Sequence, residues 1–168
     1  MLKYIGCIGA AVVVLGALCV MGCSTSSAKE YVVGKDIAVK DIREFYYTID
    51  ASTNPPEFQR YRFTNNEGKY YFYHEKREGN TWPLTEKHIT VSGTVELNDK
   101  QWTDFYACVD KGKVTKREDN ANSGGRGPWL FLYWTKDNKV YQVFNFASLE
   151  QKQAFEKLCL NLKANDKK

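Results

Sequence analysis

The chain is poor in histidine and proline: its 168 residues include two His (His74 and His88) and four Pro. So few imidazoles leave no material for a multi-histidine metal centre, and no cysteines cluster at zinc-ligand spacing. Glycine is also scarce, at 12 residues, which with the low proline count excludes collagen-like and Pro/Gly-rich disordered chains. The length excludes a large multidomain enzyme and suits one domain. Charge is nearly balanced, with 24 basic against 20 acidic side chains, far from the excess that binds nucleic acid. What is plentiful is aromatic: 14% of the residues are Phe, Trp or Tyr, enough for a packed core.

Lys3 is followed by an apolar run from Tyr4 to Met21, and no other charge occurs before Lys29. A cation, an apolar stretch and a small residue form a secretory signal plan. The run ends Val20-Met21-Gly22-Cys23, which resembles the lipobox of bacterial lipoproteins, although Met21 departs from the small or aliphatic residue usual there. The reading is a lipoprotein signal peptide over 1–22 and a Cys23 that carries acyl chains such as palmitate. An uncleaved membrane helix is the alternative, but the run is near the shortest that crosses a ~30 Å hydrocarbon core. Several acyl chains anchor firmly. The expected location is extracytoplasmic, held on the bacterial cell membrane by the lipidated cysteine.

Of five cysteines, Cys7 and Cys19 leave with the signal and Cys23 takes lipid. Cys108 and Cys159 remain, and two readings stand for them. An exported chain favours one disulfide; two buried thiols acting as small apolar residues fit equally well.

Residues 23–36 are expected to be the lipidated cysteine and a flexible, Ser/Thr-rich linker, 37–163 a single domain, and 164–168 a disordered tail. Alternation and turn residues predict strands over 41–50, 58–64, 69–77, 89–97, 113–118, 129–135 and 140–147. The segment 113–118 reads as a short edge strand guarded by lysines. Trp129–Thr135 is apolar on both sides and reads as a central strand. Asn98 with Gln101 forms a capping box, and Trp102, Phe105, Tyr106 and Val109 fall on one face of a helix over about 98–111 that Gly112 stops. Ser148 with Gln151 caps a second helix over about 148–163. The fold class expected is α+β: one two-layer domain, a mainly antiparallel sheet of about six or seven strands, both helices on one face.

Candidate chemistry is thin. Ser123–Pro128 (SGGRGP) offers backbone amides and Arg126 to an anion, but it lacks the Lys-Ser/Thr end of a phosphate loop. His74 and Glu75 sit on opposite faces of a strand and read as exposed, so they cannot act on one atom. No catalytic residue, metal ligand or cofactor is assigned. The aromatic supply is more suggestive. Tyr70 and Phe72, with Tyr46, Arg60, Arg62 and Arg126, are the candidate face for a ligand or partner, on the sheet side away from the helices.

The strands Phe45–Thr48 (FYYT), Gln59–Phe63 (QRYRF) and Gly93–Leu97 (GTVEL), with the stretch Ser123–Trp134 that contains GPW and LYW, carry a resemblance. Over most of the mature chain they are similar to a group of small bacterial extracytoplasmic lipoproteins without an assigned activity. The resemblance implies envelope location and brings no ligand or catalytic residue. The leading expectation is therefore a monomeric, non-catalytic binding module that engages an envelope protein or cell-wall polymer. An inhibitor or immunity-type protein comes second, and a small cell-wall hydrolase using an acid such as Glu75 third.

Overall fold

The computed structural model describes residues 29–117, 128–134 and 141–165. Eight strands run in chain order as β1 (Glu30–Val32), β2 (Glu44–Ala51), β3 (Glu57–Asn66), β4 (Lys69–Arg77), β5 (Ile89–Leu97), β6 (Lys113–Arg117), β7 (Pro128–Tyr133) and β8 (Tyr141–Asn145). Helix α1 (Asp99–Val109) follows β5, and α2 (Leu149–Asn165) follows β8. The strands form a single antiparallel sheet in the order β1-β6-β8-β7-β2-β3-β4-β5.

Turn chemistry sets the register of the β2–β5 meander. Glu67 and Gly68 both take positive φ, at 56° and 91°, so the β3–β4 connection is a tight two-residue turn. Asn66 then pairs with Lys69, and every later pair follows, with Phe63 opposite Phe72 and Tyr61 opposite His74. Directly opposite side chains share a face, so Phe45, Tyr47, Tyr61, Phe63 and Phe72 all point to the helix layer.

The helices start where their caps predict. Asn98 Oδ1 accepts from Gln101 N–H, and Gln101 Oε1 accepts from Asn98 N–H, both at 2.9 Å. Ser148 Oγ accepts from Gln151 N–H at 3.2 Å. Trp102, Phe105 and Val109 of α1 and Phe155 and Leu162 of α2 bury their apolar faces on the sheet. The core is aromatic: Phe63 stacks on Phe105 at 4.2 Å, Tyr70 on Trp102 at 4.4 Å, and Phe155 reaches Phe45 at 5.3 Å. The class is α+β in two layers, as the patterning implied.

The eighth strand is the difference. Glu30–Val32, within the expected linker and with only a weak signal for pairing at a sheet edge, open the sheet as β1, and Val33 enters the core beside Ile37. Val33 and Ile37 are each only 1% exposed, and Tyr31 packs on Trp134 at 5.0 Å. Val33 N–H donates to Gly112 O at 2.9 Å, and Lys111 N–H donates to Val33 O at 3.0 Å. Three short apolar residues carry a weak sequence signal; their stability comes from a partner far along the chain. β1 therefore covers β6, which is not an edge strand. β7 lies between β8 and β2, the central place its two apolar sides predicted. The helix α2 runs to Asn165, into the expected tail.

Cys108 and Cys159 stand as free, buried thiols in helices that pack together. Burial, more than the nearby Asp104, pushes the Cys108 thiol up to about 11. Burial raises Cys159 well above its ordinary value.

Candidate functional site

The sheet face away from the helices is built by the alternate residues. Glu44, Tyr46 and Thr48 of β2 stand opposite Thr64, Arg62 and Arg60 of β3, and opposite Tyr133, Phe131 and Trp129 of β7. Across β4, Arg60 faces Glu75 and Arg62 faces Tyr73. Tyr46, Arg60 and Arg62 thus occupy the expected face. Tyr70 and Phe72 do not: Tyr70 stacks on Trp102 and Phe72 is fully buried in the core. The two-residue turn fixes this parity, so Tyr71 and Tyr73 take their place on the outer face. Arg126 and Cys23 lie outside the described residues.

One end of this face is closed. The β4–β5 connection folds over it and buries Leu84 and Phe58. Trp82 Nε1 donates to Asp50 Oδ1 at 2.9 Å, and Arg77 Nη1 donates to Leu84 O at 2.9 Å. Beneath it Glu75 and Arg77 form an ion pair with side chains 4% and 10% exposed. Tyr73 OH donates to Glu75 at 2.8 Å, and the Arg77 guanidinium lies 4.1 Å over the Phe58 ring. His74 and Glu75 do lie on opposite faces, but both are 4% exposed and neither is a surface residue. A carboxylate that carries an ion pair and a hydrogen bond under a lid has no access to a substrate.

At the other end Tyr133 and Thr48 are only 9% exposed, but a recess remains. Glu44, Tyr46, Thr48, Arg60, Phe131 and Tyr133 line a shallow hollow of about 260 Å³. Tyr46 and Tyr133 meet edge to face at 6.1 Å. Tyr46 OH donates to Glu44 at 2.7 Å, and Arg62 pairs with the same carboxylate. Burial first, and then the hydrogen bond to Glu44, push the Tyr46 phenol up to about 12. Arg62 also lies 5.4 Å over the Tyr46 ring. Arg60 is different. Its Nε donates a long 3.4 Å bond to Thr48 Oγ1, and its guanidinium lies 5.1 Å over Phe58. Among the described residues it makes no ion pair, because Arg62 takes Glu44 and Arg77 takes Glu75.

A larger hollow of about 500 Å³ lies at the end of the sheet and includes Glu57, Phe58, Lys76 and Glu78 in its lining. Lys76 donates to Glu78 and holds its carboxyl below the ordinary value, the wrong direction for a general acid at neutral pH. Among the described residues no cluster of three or more His, Cys, Asp or Glu is arranged to hold a metal. No described helix is long and apolar enough to cross a membrane.

Sequence reasoning missed Glu44, Thr48 and Phe131. Glu44 and Thr48 share the face of Tyr46 by alternation along β2, whereas Phe131 joins it only through the pairing of β2 with β7, which have no local signal between them.

Fold and site together define an α+β protein: an eight-stranded antiparallel sheet, two helices on one face, and an aromatic, arginine-bearing hollow on the other. In comparisons with known proteins, no family model, curated protein or solved structure matches the chain.

Proposed function

We propose that the protein is a lipid-anchored, extracytoplasmic binding module of the bacterial cell envelope. In this reading residues 1–22 are the cleaved signal, Cys23 carries the acyl anchor, and the domain presents its sheet face to an envelope polymer or protein. The observation that carries it is the hollow on that face. The hollow is lined by Tyr46, Phe131 and Tyr133 together with Arg60, which among the described residues pairs with no carboxylate. A cation left half-buried beside aromatic walls is a prepared contact for a ligand. The shallow hollow and the two occupied carboxylates favour binding over hydrolysis. The resemblance to envelope lipoproteins supports the location.

Two measurements test this. Cells fed labelled palmitate should incorporate it into the full chain, and Cys23→Ala should abolish labelling and release the protein from the membrane fraction. Isolated envelopes should retain the chain without its anchor residue (residues 24–168), with retention falling on Arg60→Met. Unlabelled protein, or retention indifferent to Arg60, refutes the corresponding half of the proposal.

A further inference from the structure

The proposed binding face leaves the ligand open, and the hollow narrows it. On β7, Trp129, Phe131 and Tyr133 alternate along the same outward side, opposite Thr48, Tyr46 and Glu44. Rings at alternate strand positions repeat about every 6.6 Å, so the row extends from the hollow along the sheet. At about 260 Å³ the hollow falls below the usual size of a small-molecule pocket, ~300 Å³ and upward, so it suits one unit of a longer molecule rather than a whole metabolite.

Charge decides the sign of that unit. Glu44 is paired with Arg62, leaving Arg60 as the unmatched charge of the lining. A cationic ligand would meet that charge and find the Tyr46 ring already facing Arg62. An anion with a flat, partly apolar body meets complementary groups. A peptide strand gains little here, because both β2 and β7 have their backbone edges paired on each side and offer no rung for strand addition.

We infer that the hollow binds an anionic glycan: one pyranose ring sits beside Tyr46 with its carboxylate on the Arg60 guanidinium, and the next sugars run along β7 towards Trp129. The Arg fork matches a carboxylate's two oxygens. The Thr48 hydroxyl on the hollow's floor serves the ring hydroxyls. This assignment rests on the proposed binding role of the same face.

Affinity electrophoresis of residues 24–168 in gels containing polygalacturonate tests it. Fully methyl-esterified polygalacturonate and polyglutamate separate ring from charge. Polygalacturonate should retard the protein. Esterification, or Arg60→Met, should weaken binding on the order of ten- to a hundredfold, the scale of one charge-assisted contact. Trp129→Ala should weaken it about tenfold while circular dichroism reports an unchanged fold. Equal binding of the ester refutes the carboxylate contact, and equal binding of polyglutamate refutes the sugar contact. No retardation by polygalacturonate overturns the inference. If envelopes still retain the chain through Arg60 in that case, the binding face stands and only its ligand class is wrong.

Discussion

Gly112→Ala should be among the most damaging single-methyl changes in the fold. A Cβ at this position would lie 2.3 and 2.4 Å from Cε2 and Cζ of Phe144, and 2.8 Å from Val109 O. Neither partner has room to retreat. Phe144 is 1% exposed and wedged against Phe45 at 5.2 Å and Phe146 at 5.0 Å. The Gly112 backbone is pinned by bonds to Val109 and Val33. Phe144 is forced from its rotamer, and the rung to β1 is lost as the junction adjusts. Overpacking costs about 1–3 kcal/mol and a lost backbone bond about 1 more, so about 3 kcal/mol is expected. For a domain between the small and mid-sized classes that is a fall in Tm of roughly 10–15 °C.

Thermal melts followed by circular dichroism measure it, with two companions. Lys111 carries the left-handed conformation at φ 59°, so Lys111→Gly relieves about 1 kcal/mol of strain and should raise Tm by about 3–5 °C. Phe144→Leu removes the two ring carbons the new methyl strikes, so it should cost less in the Gly112→Ala background than in the parent. A Gly112→Ala protein that melts with the parent would refute this account of the α1–β6 junction, as would strictly additive costs in the double variant.

Breaking the Glu75–Arg77 pair from one side leaves a buried charge, so Glu75→Gln or Arg77→Met should each cost about 3–5 kcal/mol by urea titration. The double variant should cost less than the sum, and additive losses would argue against direct coupling. Burial pushes the Tyr46 and Tyr61 phenols up to about 12, so the native state holds protons that the unfolded chain gives up near 10. Their stability contribution is complete below about pH 10 and lost as pH rises towards 12. A native-state tyrosinate titration in which every tyrosine ionises in one step near pH 10 would contradict this.

Local chemistry made much of the fold legible. The capping box at Asn98, the N-cap at Ser148, the bounds of β4 and β5 and the buried stripe of α1 all follow from residues within a few positions of each other. The errors have one origin. Reading Tyr70 and Phe72 as outward was a parity choice, and parity is set by turn length, not by the aromatics themselves. Had Glu67-Gly68 been taken as a two-residue turn, Phe72 would have fallen opposite Phe63 and so inward. β1 was undervalued because three residues say little without β6. The hollow is half-legible: Tyr46, Arg60 and Arg62, and with them Glu44 and Thr48, follow from alternation along β2 and β3, whereas Phe131 joins them through long-range pairing alone.

The β2–β7 pairing also governs when the fold can close. Roughly 80 residues separate Ile49 from its partner Pro128, so the middle of the sheet stays open until most of the chain is present. The aromatic layer waits longer, since Phe155 of α2 touches Phe45, Tyr47, Tyr61 and Phe63. Such non-local closure is slow. For a chain exported before it folds, one route to the proposed envelope location, slowness would be useful: the meander alone would not commit to a compact state that jams its passage. On that route the same delay would leave Phe45, Phe63 and Phe72 bare in transit, exposed to self-association unless a holding factor covers them.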